Sequence, residues 1–162
     1  MVTEEFKKIA VSFAGGDGGN PKSEVWFCGL EWGIGDESSP DDFYEKFSLS
    51  PKLIPHSWVE DDFDGSWTTQ YNRKICWFLW YYYNLDWKNG ESAEHFVKKY
   101  DVLYPQGIGF KLNMLPINFK NRSSIKWNDQ FIKMTGFETF NEYREWCVEN
   151  RGAFYRLIIV NI

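Results

Sequence analysis

Apolar residues in this chain fall in short clusters separated by stretches rich in glycine, proline and polar side chains. In "EVWFCGL", Val25 to Cys28 form an unbroken apolar run bounded by "GGDGGNPKS" on one side and Gly29 on the other. Such a run, short and closed by turn residues, predicts a strand buried on both faces. "GIGFKLNMLPINF" predicts a second strand that runs into a loop at Asn113 to Pro116. The longest helical pattern is "SWTTQYNRKICWFLWYYYNLD", where Tyr71, Ile75, Phe78, Leu79 and Tyr82 share one face and aromatic residues occupy most of the others. A helix apolar nearly all round is expected at the centre of a fold.

Shorter helices are expected at "SSPDDFYEKF", with Ser39 as N-cap and Pro40 at the first helical position, and at "SAEHFVKKY", capped by Ser92. "KIAVSFA" reads as a strand or a helix end. "FNEYREWCVEN" predicts a helix that can continue toward a last apolar run, "LIIVNI". Strands alternating with helices predict an α/β domain with a mainly parallel sheet, one domain over residues 1–162.

The chain has 162 residues, enough to bury a core without covalent staples. Its net charge of −5 supplies no global basic field for nucleic acid. The distribution is more informative than the sum. Nine acids lie between Asp36 and Asp64 against Lys46 and Lys52, whereas Val102 to Asn128 contains no acid and carries Lys111, Lys120, Arg122 and Lys126. A polyanion would meet these two regions very differently, although both also read as solvated loops. Cys28, Cys76 and Cys147 are widely spaced with no C-x-x-C pair, so they are expected to be reduced, buried thiols and no metal site or cofactor is signalled. No run approaches the length of a membrane span, and a cytoplasmic protein is expected.

Candidate chemistry concentrates at strand ends, where α/β sheets bind ligands. The first strand leads into Gly29, Glu31 and Gly33. That arrangement is either a tight turn with an incidental acid or a place where backbone closely approaches a ligand. The glycines of "GGDGG" precede a strand and do not open a helix, which argues against a phosphate cradle. Asn113 ends the second strand, as a loop cap or as a ligand group. His56, between Pro55 and Ser57, reads as a loop-packing histidine or a general acid.

Taken in order, "VWFCGLEWG", the aromatic Phe43 with its neighbour Tyr44, and "FKLNMLPINFKNR" resemble the uracil-DNA glycosylase superfamily over about residues 20 to 125. The resemblance implies a three-layer αβα domain acting in DNA repair as a hydrolase. It implies that Glu31 activates the water that attacks C1′, that Asn113 reads the edge of a flipped base, and that Phe43 stacks on it, beside Gly29 and Gly33. Lys120, Arg122 and Lys126 would contact phosphates of single-stranded or damaged DNA. The family's C-terminal histidine motif has no counterpart, since His56 and His95 both precede Asn113. "LIIVNI" resembles the strand leading into that motif, so a C-terminally shortened domain is expected. Trp32 stands where the family usually has proline. The alternative is a non-catalytic nucleic-acid-binding or protein-interaction module on the same fold.

Overall fold

The computed structural model describes residues 1–15, 18–30, 51–56, 70–88, 91–117 and 127–160. Among these residues lie the helices α1 (Glu4–Ala10), α2 (Gln70–Tyr82), α3 (Ala93–Lys99), α4 (Asp129–Thr135) and α5 (Phe140–Val160), and the strands β1 (Gly18–Gly19), β2 (Trp26–Gly29) and β3 (Phe110–Asn113). The strands form one sheet in the order β1-β3-β2. β1 runs antiparallel to β3, with Gly18 opposite Lys111 and Gly19 opposite Phe110. On the other side of β3, Phe110 N donates to Val25 O and Met114 N donates to Gly29 O. The partners advance in the same direction, so β2 runs parallel to β3. Helices combined with this small mixed sheet make the chain α/β.

Each helix start among the described residues that carries a polar cap is satisfied by a side chain close in sequence. The Thr3 hydroxyl accepts from Phe6 N at 3.1 Å and donates to Met134 O at 2.7 Å, which ties α1 to the end of α4. Ser92 accepts from His95 N, as the sequence predicts. Asn128 Oδ1 accepts from the amides of Gln130 and Phe131. At α5 the cap is reciprocal: Thr139 Oγ1 accepts from Glu142 N, and Glu142 Oε2 accepts from Thr139 N, both at 3.2 Å. That exchange is a capping box, which satisfies two otherwise orphaned helix-end donors.

The chain divides into two compact units. The first comprises Met1–Asp17, Cys28–Ile54 and Leu112–Ile162; the second comprises Gly18–Phe27 and Pro55–Lys111. The core of the first unit gathers Phe6, Ala10, Leu115, Ile117, Phe131, Phe137, Tyr143 and Cys147. The core of the second gathers Val25, Ile75, Cys76, Leu79, Phe96, Val97, Val102 and Leu103.

Four expectations change. β2 is only half-buried and Cys28 on it is exposed; among the described residues the strand has β3 as its one hydrogen-bonded neighbour in the sheet order. α2 is one-sided: Ile75, Cys76 and Leu79 are buried, while Trp77, Phe78, Trp80, Tyr81 and Tyr82 are exposed. The run Leu157–Val160 belongs to α5 and is not a strand. Lys111 is buried within β3, so it is not part of an exposed basic surface. The helix expected from Ser39 lies outside the described residues.

Candidate functional site

Two segments 84 residues apart in sequence meet at one end of the sheet. Gly29 ends β2 and Asn113 ends β3. A Cβ at Gly29 would sit 2.5 Å from Asn113 Oδ1, well inside contact distance, so only glycine leaves room for the amide there. Pairing continues past the strands: Met114 N donates to Gly29 O at 2.9 Å and Leu115 N to Leu30 O at 2.6 Å. The chain is thus held in register up to Leu30, the residue before Glu31.

Asn113 is 1% exposed. Its Nδ2 donates to Gly15 O at 2.8 Å. Gly15 adopts φ +91, and a Cβ on it would lie 2.7 Å from the Pro116 Cα. A side chain is therefore strained there on two counts, conformation and space. Hence the glycine-rich stretch after α1 works at its first glycine as a closely packed turn that receives the Asn113 amide.

Arg151 secures the same corner from α5. It is fully buried. Its Nε donates to Asn113 O at 3.1 Å, Nη1 to Ala10 O at 2.7 Å and Ser12 O at 3.3 Å, and Nη2 to Ala14 O at 2.9 Å and Tyr155 OH at 2.7 Å. One guanidinium therefore fastens the turn after α1 to the end of β3. Sequence reasoning missed it. The signal that would have found it is the four-residue spacing of Tyr143, Cys147, Arg151 and Tyr155, the buried stripe of α5.

Of the residues singled out from the sequence, Gly29 and Asn113 are brought together. Glu31, Gly33, Phe43, Lys120, Arg122 and Lys126 lie outside the described residues. His56 is engaged through its backbone, in a parallel bridge with Gly18 and by accepting from Gly19 N at 3.0 Å. His95 pairs with Glu91, Nε2 to Oε1 at 2.8 Å, one helical turn apart.

A separate cavity of ≈ 540 Å³ lies beside the first half of α5, with Glu138, Glu142, Glu145, Glu149 and Trp146 in its lining. Among the described residues no three His, Cys, Asp or Glu side chains are grouped as ligands of a metal ion would be. No helix among them is long and apolar enough to cross a membrane. The chain matches no protein-family model, no curated protein and no solved structure.

Proposed function

We propose that this chain is a uracil-DNA-glycosylase-like domain that binds a nucleobase of single-stranded or damaged DNA beyond the C-terminal ends of β2 and β3. In this reading Glu31 directs a water at C1′. The water oxygen bonds to C1′ as the N-glycosidic bond breaks, its proton passes to Glu31, and the bond's electron pair leaves with the base, which takes a proton from solvent. A carboxylate also stabilises the positive charge that develops on the sugar. The single observation that carries the reading is the juxtaposition of Gly29 and Asn113 on parallel neighbouring strands. The glycine before the acid and the strand-end asparagine belong to two of the three elements on which the resemblance rests, the third being the aromatic Phe43 with Tyr44. A three-layer arrangement, with Phe43 and Gly33 at the base and Lys120, Arg122 and Lys126 at phosphates, belongs to the same proposal.

A second reading, a non-catalytic module on the same fold, is favoured by the state of Asn113. Its amide is buried and its Nδ2 donates to Gly15 O, a bond that ties the side chain into the fold.

One experiment separates the two. A uracil-containing single-stranded oligonucleotide is incubated with the protein and base release is read by alkaline cleavage, with Glu31→Ala as control and binding recorded in parallel. The first reading expects release that the variant loses while still binding. Binding without release supports a nucleic-acid-binding module, and absence of both rejects the glycosylase and the nucleic-acid-binding module together.

A further inference from the structure

We propose that the outward face of α2 is a stacking platform for single-stranded nucleic acid. This goes beyond the Gly29–Asn113 reading and does not depend on it, since it needs neither base chemistry nor a pocket.

The helix has two sides. Ile75, Cys76 and Leu79 enter the core of the second unit. Opposite them stand Trp77, about half exposed, and Tyr81, 85% exposed; Phe78 and Tyr82, each about half exposed, flank the buried stripe on its Ile75 side, where Phe78 meets the Phe27 ring edge-on at 5.6 Å. A single exposed aromatic is ordinary, but five within the six residues Trp77 to Tyr82, Trp80 included, form a patch that asks for a ligand.

On a helix, residues four apart stand in a row. Arg73, Trp77 and Tyr81 make one row; Lys74, Phe78 and Tyr82 make the next. Each row begins with an exposed cation and continues with two rings. The Arg73 guanidinium lies over the Trp77 ring, 5.6 Å from its centroid. Phe78 stacks on Tyr82 with centroids 5.7 Å apart and planes inclined by 14°. At 1.5 Å per residue the rows are about 12 Å long, room for about three bases.

Charge selects the occupant. No acid occurs from Gln70 to Tyr82. The next one, Asp86, is engaged with Lys99, 3.7 Å from its Nζ. The acids Glu60 to Asp64 precede the helix and lie outside the described residues. A purely apolar partner, or a second copy of this face, would offer no carboxylate to Arg73 and Lys74 and would cover both cations at a desolvation cost. Single-stranded nucleic acid offers flat π faces joined by regularly spaced negative charges, which matches rings and cations alike.

The test is fluorescence anisotropy of labelled oligothymidylate and oligouridylate with the full chain, at low and at physiological salt. Binding that weakens with salt is expected, and Trp77→Ala with Tyr81→Ala should lower affinity at least about tenfold. Arg73→Gln with Lys74→Gln should reduce the slope of log affinity against log salt by about 0.7 per lost contact. Circular dichroism should be unchanged in both pairs, because all four side chains are exposed. Preference for one oligonucleotide would identify DNA or RNA as the source. No binding at low salt, affinity indifferent to both pairs, or a concentration-dependent dimer dissolved by Trp77→Ala with Tyr81→Ala would overturn the proposal.

Discussion

Arg151 donates to four backbone carbonyls and a phenol from a fully buried position. Removing it leaves several buried acceptors without those donors, and each unsatisfied group costs on the order of 1–3 kcal/mol. Arg151→Met is therefore expected to lose roughly 3 kcal/mol or more of unfolding free energy, measured by urea denaturation. Arg151→Lys should rescue little, because a point ammonium cannot reproduce the planar fork. A loss below about 1 kcal/mol would show that the carbonyls find other donors. Gly29 and Asn113 make a different kind of prediction. Gly29→Ala should destabilise by about 1–3 kcal/mol, because its Cβ meets the Asn113 amide. In an Asn113→Ala background that steric part should shrink, so the double-mutant cycle should show coupling of at least about 0.5 kcal/mol. Strict additivity would mean that the crowding is relieved elsewhere.

At the scale of elements, α5 shows most clearly what sequence could and could not reveal. Its capping box is written plainly as Thr139 to Glu142. Its inward stripe includes Arg151, a charged residue at a core position, which interrupts the apolar periodicity that normally marks a helix. Meanwhile Leu157, Ile159 and Val160 are exposed. An apolar run so placed looks like a strand to any reading based on hydropathy alone. Thr139→Ala is expected to cost about 1 kcal/mol, read as a lower denaturation midpoint with an unchanged slope. The strand β3 and the Ser92 cap were legible because both rest on local chemistry. The burial of β2 was not, because it depends on the number of neighbours a strand has in the sheet. The same holds for α2, whose aromatic sequence does not say which rings face the core.

At the scale of the whole molecule the α/β class was legible from alternation, while the division into two units was not. The units interleave along the chain without a composition break at Asp17, Phe27, Ile54 or Lys111. Each core also contains one buried cysteine, Cys147 in the first and Cys76 in the second. Burial pushes both thiols up to about 12 from an ordinary value of 9.0. A mildly alkaline thiol reagent should therefore modify exposed Cys28 first, with Cys76 and Cys147 protected until their own unit opens. Peptide mass spectrometry reads the three sites separately, and equal rates at all three would contradict these burials. The unfolded state ionises these thiols at lower pH than the folded state does. Stability should therefore fall as pH rises between about 9 and 12 and be insensitive to them below that window.

The interleaved division also sets a schedule for biosynthesis. Every residue of the second unit has been polymerised once Lys111 is added, whereas Leu112–Ile162, more than half of the first unit, is still to come. Arg151 and the stripe around it are polymerised only after every residue of the second unit. Vectorial synthesis thus offers the second unit a head start, while the segments Met1–Asp17 and Cys28–Ile54 must wait for the C-terminal helices before their core can close. A nascent chain stalled inside α5 would hold Ala10, Ser12 and Ala14 without the guanidinium that fastens them, which makes that interval the natural one for chaperone engagement.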